Sequence, residues 1–205
     1  MMRIIIIFYF LSCIILGNSH SFKIGETLKY NASFGGVPAA NAKLKVIGKE
    51  KVNDSMTYHV EFTARSKGLI DYLFPINDKI ELWLSEDSLF TIKESLEIKE
   101  GNYKKSREVI FDHRSKIAIL GSDTLKIPRG IHSPYSLFYF FRNKEINQVQ
   151  EVLNTMQGRK ITPLNIVIEE NIETTVPAGK FLCTKVMPVK SNNKTFKNKS
   201  QISIL

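Results

Sequence analysis

Apolar and polar residues alternate with a period of two along most of the chain, a pattern typical of strands that bury one face. The first alternating segments run over 28–34 and 40–46 and flank the sequence Gly-Gly-Val-Pro. Two such segments joined by a Gly-rich turn predict an antiparallel hairpin. We therefore expect the fold to begin with two paired strands whose apolar side chains share one face.

The same alternation predicts further strands over 58–65, 80–84, 92–98, 103–112, 117–120, 149–156, 161–173, 181–188 and 199–205. No long repeat, linker or low-complexity tract divides the chain. We predict a mainly β fold, with one curved antiparallel sheet or incomplete barrel of about ten strands and one principal helix.

That helix is predicted in the segment IHSPYSLFYFFRNKE, where the strand alternation stops. Ser133 suits the helix cap and Pro134 the first helical position. Leu137, Phe140 and Phe141 then fall on one side of about two to three turns. A shorter break at 68–74 predicts a helical turn before the next strand.

The first residues have the features of a secretory signal. Arg3 precedes an apolar stretch over 4–16, and Ser19 and Ser21 are small residues at the positions that a signal peptidase reads. We expect a signal peptide over 1–21, cleavage after Ser21 and a periplasmic mature chain without a transmembrane span. An uncleaved anchor is one alternative, and a lipoprotein modified at Cys13 is another.

The mature chain, 22–205, is long enough for a single β-rich domain with its own core. Its last five residues, QISIL, begin a strand and stop within it. An unpaired terminal strand exposes backbone hydrogen-bonding groups. This predicts either an edge strand or a fragment that lacks its last strands.

The charge and the cysteine content of the chain limit the classes of function that it can have. Lys and Arg total 29 against 20 Asp and Glu, so the chain is basic and would favour anionic membranes or envelope polymers. It lacks the aromatic and Gly-rich signatures of nucleic-acid modules, so no nucleic-acid partner is expected. Once Cys13 is removed with the signal, Cys183 cannot form an internal disulfide, and we predict a buried, inert thiol in a monomer.

Four stretches together resemble one family. They are FKIGETLKYNASFGGVPAANAKLKV, YHVEFTARSKGLIDYLFPINDKIELWL, SPYSLFYFFR and TTVPAGKFLCTKVMP. In this order they are similar to domain-of-unknown-function family 3108, whose members are exported proteins of Gram-negative-type envelopes. The resemblance covers nearly all of the mature chain, and members continue beyond the point where this sequence stops. It implies a location and a scaffold, but no activity.

No catalytic or metal constellation is recognisable. His59, His113 and His132 lack metal-ligand spacing and suggest surface or turn positions, and Ser133 lacks the Gly-x-Ser-x-Gly context of a nucleophile. We therefore expect neither an enzyme nor a cofactor or metal.

Two residues break the pattern of their strands. Glu94 lies on an otherwise apolar face, where a carboxylate must be paired unless a bulge turns it outward. Trp83 lies among charged residues, which suits either a partner contact or a half-buried packing role.

The predicted function is a non-catalytic scaffold that binds an apolar or amphipathic envelope molecule, with an envelope assembly or protein-interaction module as the alternative. The partner would then be a lipid, another envelope amphiphile or an envelope protein. The candidate ligand-binding residues are Phe140, Phe141, Leu137, Trp83 and Glu94.

Overall fold

The computed structural model describes residues 20–34, 37–143, 152–176 and 179–190. Within these ranges the chain forms two antiparallel sheets and two short helices. The larger sheet contains β1 (Thr27–Phe34), β2 (Val37–Val52), β3 (Ser55–Ser66), β4 (Asn77–Ser85), β5 (Thr91–Glu100), β6 (Tyr103–Asp112), β7 (Ile117–Leu120) and β8 (Asp123–Lys126). The smaller contains β9 (Val152–Gln157), β10 (Lys160–Val176) and β11 (Gly179–Lys190).

The larger sheet is an open meander in which each strand pairs with the next one along the chain. Its strands have one apolar side, which we call the inner face; Leu44, Phe62, Ile80 and Leu96 lie on it in successive cross-strand register. Directly opposed residues share a face, so this register places the apolar residues of β2 to β5 side by side. The charged residues between them lie on the outer face.

Helix α2 (Leu137–Asn143) lies between the two sheets. Tyr139 packs in the cluster of the larger sheet with Phe22, their ring centroids 4.8 Å apart. Phe140 belongs to the cluster of the smaller sheet. The end of the helix is fixed by Arg142, whose Nη1 and Nη2 donate to the Glu26 carboxylate at 2.6 and 3.0 Å.

Helix α1 (Gly68–Leu73) connects β3 and β4 and has no buried residue. It is held at both ends by backbone contacts. The N–H of Lys67 donates to the carbonyl of Ala39 at 2.9 Å, and that of Gly101 donates to the carbonyl of Pro75 at 2.8 Å. Gly101 has φ +56°, and a Cβ there would lie 2.9 Å from the Phe74 ring, so this turn needs glycine to approach the end of α1.

The predicted mainly β, antiparallel fold is confirmed. The strands are divided between sheets of eight and three, and β8 was not predicted. Both predicted helical segments are present, as α1 and as a seven-residue α2. The predicted strand at 199–205, the first 19 residues of the predicted signal peptide and the turn at Gly35-Gly36 lie outside the described residues.

Candidate functional site

The inner face of the larger sheet is deeply covered at one end and open at the other. We call one row of cross-strand neighbours the covered end: Val46, Val60, Leu82, Glu94 and Val109, each at most 1% exposed. Four residues further along β2, β3 and β5 lies the row that we call the open end: Tyr30, Ala42, Ala64 and Ile98. Tyr30 is 44% exposed, and the others are half-buried.

The cover over this face is the segment that leads into α2. Phe22 and Tyr139 close the covered end, whereas Tyr135 and Phe138 pack only partly against the apolar cluster. Towards the open end the floor remains apolar on β3 and β5, where Phe62 and Ile98 are half-buried, but β4 contributes Asp78, which lies opposite Ala64. The result is an apolar shelf, bordered by aromatic rings, that the described residues do not fully cover.

Polar groups border this shelf. Asp78 accepts a hydrogen bond from the backbone N–H of Lys99 at 2.9 Å. Burial, reinforced by the neighbouring Asp78, raises the pKa of the Glu100 carboxyl. Burial also raises the pKa values of the Tyr30 and Tyr135 hydroxyls. Such neutral hydroxyls and a small acidic group at the edge of an apolar surface suit an amphipathic molecule.

The predicted ligand residues of α2 are brought together, but inside a core. Leu137, Phe140 and Phe141 are 5–7% exposed and pack against the smaller sheet through a cluster that also contains Leu153, Leu164 and Val186. Their side chains thus join α2 to β9–β11. The apolar shelf lies on the side of this helix that faces the larger sheet, beside Tyr135 and Phe138, which were not among the predicted ligand residues.

Glu94 is buried and paired, which is one of the two outcomes that the sequence left open. Arg107 Nη2 donates to Glu94 Oε1 at 3.1 Å, while Oε2 has no well-formed hydrogen bond in the described structure. Burial raises the pKa of the Glu94 carboxyl, against the opposing effects of the Ser133 hydroxyl and Arg107. A Cβ on Gly158 would lie 2.9 Å from Arg107 Nη1, so the turn after β9 closes over this ion pair.

The prediction of a surface or turn position for His132 is wrong. His132 is fully buried beneath α2, because its backbone bridges to β9: its N–H donates to Asn154 at 2.9 Å. Its Nδ1 lies 3.2 Å from Ser136 Oγ, which itself donates to the carbonyl of Ser133 at 2.9 Å. Burial, with a smaller effect from His113, lowers the pKa of His132 to about 3.

This serine and histidine are not arranged as a nucleophile and base. Because the Ser136 hydroxyl donates to a carbonyl, His132 Nδ1 must be the donor to Ser136 Oγ and cannot accept its proton. Both residues are also 0% exposed. Ser133 Oγ accepts from the N–H of Ser136 at 3.3 Å, the capping role that the sequence suggested. The pair thus orders the entry to α2.

Trp83 lies on the outer face, separated from Glu94 and α2 by the sheet. Its ring stacks on His59 with centroids 4.6 Å apart, and Lys93 Nζ lies 4.8 Å from its centroid. Its indole N–H donates to Glu50. The five predicted site residues therefore do not form one site.

The prediction of a buried Cys183 is wrong. It is a free, partly exposed thiol on β11, and its neighbour Phe181 is 47% exposed. The alternation of β11 was read correctly, but the described residues leave this half of the strand uncovered.

In the described ranges, no three His, Cys, Asp or Glu side chains approach one another as metal ligands would. The helices there are all too short or too polar to cross a bilayer. A separate cavity of about 270 Å³ lies at the turn after β6 and is lined by His113, Arg114, Lys116 and Arg129.

Comparison with known proteins gives one finding. The search of curated proteins and the search of solved structures each gave no match. The model of the family described as "Protein of unknown function (DUF3108)" matches residues 29–205, which covers both sheets and both helices. The chain therefore belongs to this family of proteins of unknown function.

Proposed function

We propose that this protein is an exported, periplasmic, non-catalytic scaffold that holds an apolar or amphipathic envelope molecule against the open end of its inner face. One observation carries the proposal. The apolar alternation of β1, β2, β3 and β5 continues beyond the segment that covers it, so Tyr30, Phe62 and Ile98 keep apolar surface partly in solvent. A strand face that only completed the core would become polar there, as β4 does at Asp78, whereas its neighbours stay apolar.

The dimensions of the shelf favour a slender apolar group. Ala32 lies opposite Ala40, and Ala42 opposite Ala64, so the outermost rows of the inner face carry small side chains. Small residues leave room above the sheet, and the rings of Tyr135 and Phe138 border that room. An alkyl chain or similar group would bury apolar area of both partners at about 25 cal/mol per Å².

The direct test uses a fluorescent polyene fatty acid as probe. Ala42→Asp places a carboxylate on the half-buried inner face, and Asn41→Asp places the same charge on the exposed outer face one residue away. Burying an unpaired charge against an alkyl chain is costly, so we expect Ala42→Asp to weaken probe binding at least tenfold. Asn41→Asp should bind the probe as the wild type does.

A second measurement identifies the natural cargo. Mass spectrometry of an organic extract of the purified protein should show a stoichiometric amphiphile. A wild-type protein that binds no such probe and releases no amphiphile would contradict the proposal, as would equal binding by both aspartate variants.

The assembly alternative rests on a different observation. The hairpin of β10 and β11 exposes Phe181 at 47% and Leu182 at 72%. Such a surface suits a protein partner. Cross-linking from Leu182→Cys in a Cys183→Ser background would capture one envelope protein if this alternative holds.

A further inference from the structure

Helix α1 presents an apolar surface that the described structure does not use for packing. Leu69, Tyr72 and Leu73 are 65%, 86% and 66% exposed. Their spacing of three and four residues places them on one side of the helix. Phe74, at 50%, extends this surface towards the turn between β5 and β6.

Hydrogen bonds fix the position of this surface, which distinguishes it from an exposed loop without such contacts. The hydroxyl of Ser66 accepts from the N–H of Ile76 at 2.7 Å and donates to the Asp71 carboxylate. The backbone N–H of Phe74 donates to Ile70 at 2.7 Å. Together with the contacts of Lys67 and Gly101 to neighbouring strands, these bonds hold the exposed side chains in place. The fold thus holds these apolar side chains in an ordered position in solvent, and an exposed apolar surface of this kind marks an interaction site.

Basic side chains lie on the β5–β6 hairpin, whose turn adjoins the apolar surface at Phe74. Lys99 lies directly opposite Lys104 across β5 and β6, and Lys105 follows on the other face. Like charges in direct cross-strand register destabilise a sheet. In the described part of the chain, none of these three lysines forms an ion pair with a carboxylate. Tyr103, 54% exposed, is the first residue of β6, directly after the turn whose Gly101 lies close to Phe74.

We infer that α1 and the adjoining β5–β6 turn form a docking surface for an anionic lipid bilayer. Leucine and phenylalanine side chains would enter the acyl boundary, and the two tyrosines, Tyr72 and Tyr103, would lie at headgroup level, where tyrosine is enriched. The lysines would face anionic headgroups, which resolves the like-charge pair. A protein partner would have to supply both an apolar groove and an acidic rim, whereas a bilayer supplies them over any area.

Docking in this way would also turn the open end of the inner face towards the membrane. Ala64, at the open end, lies two residues before Ser66, the last residue of β3. Helix α1 begins two residues after Ser66. An amphiphile could then pass between membrane and shelf without crossing water. The docking itself does not depend on the proposed cargo site, so the two can be tested separately.

The test is cosedimentation with vesicles of phosphatidylethanolamine containing phosphatidylglycerol, compared with vesicles of phosphatidylcholine. The protein's N-terminus must first be determined, since an uncleaved apolar segment over 4–16 would bind lipid by itself. We expect the wild type to bind the anionic vesicles at least tenfold more tightly, and to lose most of that preference in high salt.

Two double variants test which side chains form the docking surface. Tyr72→Ser/Leu73→Ser should weaken vesicle binding at least tenfold, and Lys99→Ser/Lys104→Ser should remove most of the anionic preference. The controls are Leu182→Ser, an equally exposed apolar position on β11, and Lys126→Ser, an exposed lysine on β8. Melting temperatures should not fall in any of the four, because these side chains are exposed, and that of Lys99→Ser/Lys104→Ser should rise slightly as the like-charge pair is removed.

Two outcomes overturn the inference: wild type that binds neither kind of vesicle, or binding reduced as much in the control variants as in the α1 variant. The cargo proposal fails differently. Ala42→Asp should lose the fatty-acid probe but keep vesicle binding, while Tyr72→Ser/Leu73→Ser should keep the probe.

Discussion

The covered and open ends of the inner face are built from the same strands with the same alternation, yet they differ in what lies above them. At the covered end, Val60 and Leu82 are sealed beneath Phe22 and Tyr139. At the open end, Tyr30 and Ile98 continue the pattern with less cover. The comparison teaches that strand alternation reports which side of a strand is apolar, but not how far that side is covered.

The covering layer should matter most to stability. Phe140→Ala removes a ring from the cluster between α2 and the smaller sheet, and we expect a loss of about 3–5 kcal/mol in the free energy of unfolding. Leu73→Ala, on the exposed side of α1, should change it by less than about 0.5 kcal/mol. Urea denaturation measures both. Equal losses would show that the covering layer contributes no more to stability than an exposed side chain does.

The ion pair at the covered end should be the next most sensitive feature. Arg107→Ala leaves Glu94 buried without its partner, at a cost of about 3 kcal/mol near neutral pH. Since the folded-state pKa of Glu94 is raised, its contribution to stability is present below the unfolded pKa and is lost as pH rises through the folded value. The cost of Arg107→Ala should therefore shrink on acidification, when Glu94 becomes neutral.

Lys105→Ala is the matched control, because Lys105 lies two residues away on the same face of β6 but is exposed. It should change the unfolding free energy much less than Arg107→Ala, because Lys105 has the smallest of the charge effects on Glu94. A loss in Arg107→Ala that is independent of pH would show that packing of the guanidinium, and not charge compensation, explains its effect.

His132 should make the covered end sensitive to acid. Its pKa is lowered from 6.5 to about 3 in the folded protein, so the neutral form is favoured there. This contribution is present above the unfolded pKa and is lost as pH falls towards the folded value, by about 2 kcal/mol at pH 5. His132→Asn, which retains a donor near Ser136, should flatten the stability profile between pH 7 and 5.

His59→Asn serves as the comparison for that profile, because His59 lies on the outer face with an 18% exposed side chain. Thermal melting at half-unit pH steps would resolve the difference. An unchanged slope in His132→Asn would contradict the assignment of acid sensitivity to the buried imidazole.

The fold was predictable where local pattern decides it. Alternation placed the strands, and the Ser133-Pro134 start placed α2, because both depend on neighbours in sequence. Strand β8 was missed because Asp123–Lys126 is too short for a clear period. The division into two sheets was missed because it depends on long-range packing, such as Met156 against Val109.

The candidate site was less predictable than the fold. The aromatic content of α2 indicated a packing role, but not which sheet Phe140 would contact. The burial of His132 depends on a bridge to Thr155, which no local pattern reveals. For the shelf, the signal present in the sequence was the run of small residues Ala32, Ala40, Ala42 and Ala64 on one face, which fits either close packing or an open surface.

The smallest expected effect concerns Tyr139, whose hydroxyl is buried at the edge of the covering layer. Its ring packs against Phe22, but its oxygen has no hydrogen-bond partner in the described structure, and burial raises its pKa. Removing an unsatisfied buried hydroxyl while keeping the ring relieves a desolvation cost. Tyr139→Phe should therefore be neutral or stabilising by up to about 1 kcal/mol. Tyr58→Phe is the contrast, because Tyr58 also packs on Phe22 but its hydroxyl has a hydrogen-bond partner in Lys49, whose pKa is raised by Glu86 and, to a smaller extent, by this bond. It should be slightly destabilising. Urea denaturation of both variants decides the matter. If Tyr139→Phe lowers the urea midpoint, the Tyr139 hydroxyl has a hydrogen-bond partner in the folded protein. The layer over the covered end is then more polar than the described contacts indicate.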